Sequence, residues 1–192
     1  YDSLARTESV PGAFLETTWS GNPRATVVSG LRVDQHNLWG TVVTPRLHAR
    51  WSATENTSFK LVAGTGFRTP NVLMEELGVW ASNRVWHIAD LKPERGWNAG
   101  LNLTSKFKLG YRDADFALDG YWTEFQNRAV VDLDQDPHAV HIYNLDDRES
   151  RSLTAQAELG WSVHRRVDMR LAYRFVHATT QRLGAETAGT LL

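Results

Sequence analysis

Along Val167, Met169, Leu171, Tyr173 and Phe175 every second side chain is apolar, while Asp168, Arg170 and Arg174 between them are charged. Side chains of an extended strand point alternately to opposite faces, so this rhythm prescribes a sheet with one greasy face and one strongly polar face. The same parity returns in Val27, Leu31 and Val33, in Val43, Leu47, Ala49 and Trp51, and in Phe59, Leu61 and Ala63. It continues in Trp97, Ala99, Leu101 and Leu103, and in Leu153, Ala155, Ala157, Leu159 and Trp161. The opposite parity holds Arg32 and Asp34, Arg46, His48 and Arg50, Lys60 and Arg68, Asn98 and Asn102, and Gln156 and Glu158. Burying so many ionisable groups in a dry core is prohibitive. A wet lumen behind a lipid-facing surface keeps them hydrated or paired across strands.

The aromatics choose between a soluble sandwich and a membrane barrel. Short polar connectors fall at 20–24, 54–58, 110–113 and 164–166, each carrying turn-forming or charged residues. On the apolar parity, the side chains nearest these turns are Trp19, Trp51, Phe59, Phe107, Phe116 and Trp161. Aromatic rings collect where lipid meets water, and outer-membrane barrels carry such a girdle at each interface. A soluble sandwich has no reason to repeat it.

The expected architecture is all-β, an antiparallel up-and-down transmembrane β-barrel segment of about eight strands. Their spans are 12–19, 25–36, 41–53, 58–69, 92–108, 115–132, 140–162 and 167–178, with no linker and no second domain. Longer connectors alternate with the short ones, above all Pro70 to Asp90, with Asp132 to Pro137 joining two unusually long strands. In such barrels the short turns are periplasmic and the long loops external. Tyr1 and Leu192 then both fall on the outer side, so residues 1–192 are expected to be an interior piece of a larger barrel. No apolar stretch approaches the ~18–20 residues of a spanning helix. A net charge of −1 favours no nucleic-acid partner, and the absence of Cys removes thiol chemistry and disulfides.

Gly64-Thr65-Gly66-Phe67-Arg68-Thr69-Pro70-Asn71, followed by Leu91-Lys92-Pro93-Glu94 and then Trp97-Asn98, resembles the barrel of TonB-dependent outer-membrane receptors. Residues 127–136 (NRAVVDLDQD), Tyr143-Asn144-Leu145 and the strand Ala155 to Leu159 resemble later strands of the same family, particularly its Bacteroidetes-type members. The likeness covers nearly the whole chain. It implies a larger barrel, about 22-stranded, closed by an N-terminal plug domain that contacts TonB. Plug and TonB would be partners lying outside these residues. It also implies energised uptake of a scarce nutrient such as an iron chelate, haem, cobalamin or a metal complex across the bacterial outer membrane.

Among candidate site residues, the long loop with Leu77, Val79, Trp80, Asn83, Arg84, Trp86 and His87 suits a ligand-binding mouth; Trp80, Arg84, Trp86 and His87 are the expected contacts. Outer loops also bury aromatics simply to pack on one another. Arg46, Arg50 and Arg68 are expected to face the lumen and its plug, with Gly64 and Gly66 leaving room. Asp132, Asp134 and Asp136 alternate as in a calcium loop, but Pro137 stands where that turn needs Gly and no Glu follows six residues later. A solvated acidic loop tip is the plainer reading. His138 and His141 lack the helical setting and the Glu base of a zinc hydrolase.

No nucleophile elbow, phosphate loop or dinucleotide fingerprint occurs, so neither an enzyme mechanism, a metal nor a cofactor is expected. The expected partners are outer-membrane lipid, the plug with TonB behind it, and a small-molecule nutrient. The rival readings are a soluble β-rich binding module and a small outer-membrane barrel, porin or enzyme. With the faces so assigned, Leu171→Arg is expected to cost ~2–4 kcal/mol of insertion and Arg170→Leu little.

Overall fold

The computed structural model describes residues 7–71, 78, 82–145, 150–182 and 185–191. Among these residues twelve strands follow one another. They are β1 (Gly12–Asn22), β2 (Ala25–His36), β3 (Gly40–Ser52), β4 (Thr57–Arg68), β5 (Val85–Ile88) and β6 (Glu94–Leu109). The second half holds β7 (Arg112–Gln126), β8 (Ala129–Asp132), β9 (Ala139–Asn144), β10 (Ser150–His164), β11 (Val167–Arg182) and β12 (Ala185–Leu191). Nine of them form one sheet in the order β1-β2-β3-β4-β6-β7-β10-β11-β12, with every neighbouring pair antiparallel. This is an up-and-down meander. Strands β5, β8 and β9 leave it to build a small sheet ordered β5-β9-β8, in which β5 runs parallel to β9.

The two long strands expected at 115–132 and 140–162 are each broken. Asn127 takes a left-handed backbone (φ 53°), a conformation Asn tolerates better than most residues, and the chain turns out of the large sheet between β7 and β8. The second break lies between β9 and β10. A strand, β5, also occupies the end of the connector expected to be loop. Beyond residue 178, β11 continues to Arg182 and β12 adds a ninth strand, although its sequence AETAGTL has little apolar alternation. Tyr1 and Leu192 lie outside the described residues.

Cross-strand register proves the two faces. Directly opposed residues share a face, and one row reads Ala49, Leu61, Leu101, Gly120, Ala155, Phe175, the next Trp51, Phe59, Leu103, Leu118, Ala157, Tyr173. Between them, on the other face, runs Arg50, Lys60, Asn102, Asp119, Gln156, Arg174. The apolar side chains do not meet in a core. Leu101 is 51% exposed and Leu171 71%. The accessible surface is 13585 Å², where a globular monomer of this mass exposes about 9,200 Å².

The apolar face is a band of definite height. Near the short turns Trp51 stacks on Phe59 (centroids 5.5 Å apart), and Trp161 donates its indole N–H to the Leu109 carbonyl at 3.3 Å. Along β6 the band runs from Phe107 up to Trp97, and beyond Trp97 the same row carries Glu124 and Arg151. Those ten steps span about 33 Å of strand, or about 25 Å of height at a tilt of about 40°, the thickness of a barrel's lipid-facing belt. Its lower edge is drawn tight by a two-residue hairpin in which Gly110 (φ 57°) and Tyr111 (φ 64°) both adopt positive φ.

With Val42 and Ala114 of the large sheet as the exceptions among the described residues, buried hydrophobic residues gather mostly around the small sheet. Val140 and Ile142 form its centre, with Trp86, Leu91 and Val131 packed against them, and Val130, Ala139 and Leu145 buried nearby. A hydrogen-bonded node ties this sheet to the tops of the long strands. Asn144 accepts from the Lys92 amide at 2.7 Å through Oδ1 and donates through Nδ2 to the carbonyls of Lys92 and Asn127. Glu94, buried at the head of β6, accepts from Arg68 at 2.8 Å and from the Ala129 amide at 2.7 Å. Leu145 N–H reaches the Arg128 carbonyl. The turn from β8 to β9 is organised by Asp132, which is buried and accepts from the Asp134 amide (3.0 Å), Gln135 Nε2 (2.9 Å) and the Tyr143 hydroxyl (3.0 Å).

The register places Leu171 one row above the Trp161–Met169 level, near the interface, so the expected cost of Leu171→Arg must be revised. Leu101→Arg, in mid-band, should weaken folding into lipid bilayers by ~2–4 kcal/mol, Leu171→Arg by ~1 kcal/mol, and Arg170→Leu on the polar face by less. Equal losses for all three variants would refute the assigned faces. Asn144→Ala removes the three bonds that hold Lys92 and Asn127, and should open the small sheet by ~1–3 kcal/mol, read as faster amide exchange at Val85 and Ala89 with the long strands unaffected. Burial raises the Asp132 carboxyl pKa, but the hydrogen bonds from Asp134, Tyr143 and Gln135 outweigh it and leave it lowered. A lowered pKa stabilises above the ordinary carboxylate value of about 3.9 and loses that contribution as pH falls through the folded value. The β8–β9 turn should therefore loosen below about pH 4, and Asp132→Asn should abolish that acid step in hydrogen exchange.

Candidate functional site

The candidate site is the small β5-β9-β8 layer, whose two faces carry different side chains. Trp86, opposite Val140, turns inward onto the Val140–Ile142 cluster and is half-buried. Its role here is packing, the alternative that an aromatic outer loop always carries. His87 stands on the other face, exposed, opposite His141; the two imidazoles stack with centroids 5.0 Å apart and planes 19° from parallel. Asp132 opposes His141 from the far side, so His87, His141 and Asp132 form one row across three strands. The Asp132 carboxyl, its pKa lowered, stays ionised beside the imidazoles.

A shallow groove of about 450 Å³ runs along this layer, lined by Trp86, His87, Ile88, Ala89, His141, Ile142 and Tyr143. It offers stacked ring faces, imidazole nitrogens and aliphatic edges to a flat ligand. Arg84 is half-buried just before β5. Trp80, with Leu77 and Val79, lies outside the described residues. Among the described residues no three His, Asp or Glu side chains converge to hold a metal ion. Asp134 and Asp136 instead belong to the turn, where Asp136 Oδ1 accepts from the His138 amide at 2.8 Å.

The polar face lines the other candidate region. Arg46 is ion-paired with Glu16 two strands away, and the residue between them on that row is Gly30. A Cβ at Gly30 would stand 2.7 Å from Arg46 Nε, so only Gly lets the guanidinium cross to its partner. Arg68 is paired with Glu94 at 2.7 Å inside the node. Arg32 grips the buried Asp34 through Nε at 2.7 Å, and Lys108 meets Asp113 at 3.1 Å. Arg50 projects into a concavity of about 1060 Å³ near the short turns, where Ser52, Lys106, Asp115 and Arg170 also face. Arg46, Arg50 and Arg68 thus all lie on the polar face of the sheet, two committed to carboxylates and one not.

Sequence reasoning missed that His141, Tyr143 and Asp132 stand beside His87 in the small sheet, because residues 115–132 and 140–162 read as uninterrupted strands. The signal present was the pair of segments Leu91 to Glu94 and Tyr143 to Leu145, which the fold joins through Asn144 and Lys92.

Comparison with known proteins places this geometry in a family. The family described as TonB dependent receptor-like, beta-barrel matches residues 1–191. An iron-regulated outer membrane virulence protein of Vibrio cholerae serotype O1 is 23% identical over 175 residues, covering 86% of this chain and 27% of the relative. The siderophore receptor PirA of Pseudomonas aeruginosa superposes with a TM-score of 0.60 at 16% identity, over 90% of this chain and 34% of that one. A mutant ferric enterobactin receptor of the same organism, crystallised with enterobactin, gives 0.62 at 14% identity, over 96% of this chain and 27% of that one. The chain thus spans about a quarter to a third of the length of these relatives. The chain belongs to the TonB-dependent receptor β-barrel family, and its large sheet is barrel wall in the bacterial outer membrane.

Proposed function

We propose that these residues supply part of the wall and outer mouth of a TonB-dependent receptor that imports an iron chelate. The observation that supports the reading is the pairing of a lipid-height apolar band with a polar opposite face, joined to a small loop sheet on which the exposed His87 stacks on His141. An iron-regulated outer membrane protein and siderophore receptors among the relatives support the iron-chelate class over haem, cobalamin or other nutrients. In this reading the chain carries no chemical step. The wall encloses the route, a plug domain closes it, and TonB acting on that plug supplies the work.

The mouth would bind by stacking and hydrogen bonding from His87, with Arg84 adding positive charge and Trp80 a further ring. Trp86 would act indirectly, by holding β5 against β9. Cells lacking their own receptor and expressing the full-length protein should accumulate radiolabelled ferric chelate only when TonB is present. His87→Ala should weaken chelate binding about tenfold, which is ~1.4 kcal/mol, with unchanged outer-membrane abundance. Uptake that persists without TonB, or binding untouched by His87→Ala together with Arg84→Ala, would overturn the assignment.

A further inference from the structure

A buried imidazole at the outer end of β2 has no part in the readings above. His36 is the last residue of that strand, on the side away from the short turns, and its side chain is enclosed. Trp39 packs on it, with ring centroids 4.3 Å apart and planes 59° from parallel. Between them runs the β2–β3 turn, in which Asn37 and Leu38 are exposed and Gly40 takes a positive φ of 74°.

The two ring nitrogens face different partners. The Leu38 amide donates to Nδ1 at 3.1 Å. An amide can only donate, so Nδ1 presents a lone pair and the neutral ring carries its proton on Nε2. Nε2 looks toward Glu8 Oε2 at 3.6 Å, on the segment before β1, and toward Thr69 Oγ1 at 3.5 Å, just beyond β4. Backbone bonds keep Glu8 there whatever the charge on the ring: Asn37 N–H reaches the Ser9 carbonyl at 3.1 Å and Gln35 N–H the Pro11 carbonyl at 2.8 Å. The other charged groups around the ring are already matched. On β2 itself Asp34 is held by Arg32, and beside Thr69 the Arg68 guanidinium is paired with Glu94. From β3 only Gly40 opposes His36.

We infer that the β2–β3 turn is an acid-released clasp with His36 as its sensor. A second proton on the ring must go to Nδ1, where it removes the acceptor of the Leu38 amide and aims one N–H at another. The positive charge so created is drawn through Nε2 to the Glu8 carboxylate. Protonation therefore exchanges a bond inside the turn for an ion pair with the preceding segment, so residues 37–39 loosen while residues 7–11 stay docked. Glu8 is what lets an enclosed ring accept a charge at all, since a buried imidazolium without a carboxylate is costly. The turn is closed while the ring is neutral and released once it is charged, and imidazoles change charge between about pH 5 and 8.

The test follows hydrogen exchange of the full-length protein in lipid vesicles at about pH 7.5 and about pH 5.5, each amide rate being corrected for its intrinsic pH dependence. The amides of 37–40 should lose protection about tenfold at the lower pH, with those of 25–35 unchanged. His36→Asn offers an oxygen that accepts from Leu38 as in an Asx turn but does not titrate, and should hold the turn at both values. Glu8→Gln should keep the neutral-pH protection and move the loss to lower pH. Protection that survives to about pH 5 in the unaltered protein would overturn the clasp, and so would an equal acid loss in His36→Asn. Should His36→Asn fail to fold, as judged by heat-dependent gel migration, nitrogen-15 shifts of labelled histidine decide the matter in the unaltered protein. They should show the Nε2–H tautomer of His36 becoming imidazolium in step with the loss of protection, and a ring that stays neutral while the turn opens would refute the inference.

Discussion

Hydrocarbon offers no hydrogen-bond partner, so each backbone amide that crosses it must be satisfied by a neighbouring strand. That requirement makes antiparallel pairing the constraint from which the rest follows. Once Leu61 opposes Leu101 and Lys60 opposes Asn102, the faces of both strands are fixed, because a one-residue slip of either would turn its polar row, Lys60 on β4 or Lys106 and Lys108 on β6, toward lipid. The same pairing explains why the large sheet needs no core of its own. Its stability lies in the ladder and in the surroundings of its two faces, and the buried apolar cluster found among the described residues forms where the chain leaves the ladder, around Val140 and Ile142.

How much of this was legible in the sequence depended on how strongly each segment alternates. Trp97 to Leu103 and Leu153 to Trp161 have alternate apolar residues throughout, and both lie in strands on the predicted parity. The girdle was legible for the same reason, since Trp51, Phe59 and Trp161 sit where short turns meet apolar positions. The mouth was not. Residues 127–132 and 139–144 are as β-prone as the strands beside them, and local propensity says nothing about which sheet a strand joins. What divides them is tertiary: a left-handed Asn127, and hydrogen bonds from Asn144 to residues that are 17 and 52 positions away. Strand β12 was missed from the opposite cause, because AETAGTL pairs by backbone with too little side-chain signal to announce it.

The segments that carried the family resemblance turn out to be neighbours in space. Arg68 from the first, Glu94 from the second, Ala129 from the third and Asn144 from the fourth meet in one node at the outer ends of β4, β6 and β7. None of these contacts touches the proposed ligand groove, yet together they set where β5 and β9 stand and hence where His87 and His141 stack. Local motifs that look unrelated along the chain are therefore constrained jointly: changing the Glu94 carboxylate would strand both a guanidinium and a backbone amide.

Charge on the inner face obeys a similar logic at longer range. An exposed ion pair contributes little to stability by itself, so the interior pairs matter less for their energy than for what they leave uncommitted. Gly30 is the telling residue. It gives up a side chain so that Arg46 can lie across it to Glu16, which removes that cation from the set available to anything inside the lumen. Arg68 is withdrawn in the same way by Glu94. Among the described residues the wall is thus neutralised at several levels by its own side chains, and Arg50, Lys60 and Arg174 keep no carboxylate partner.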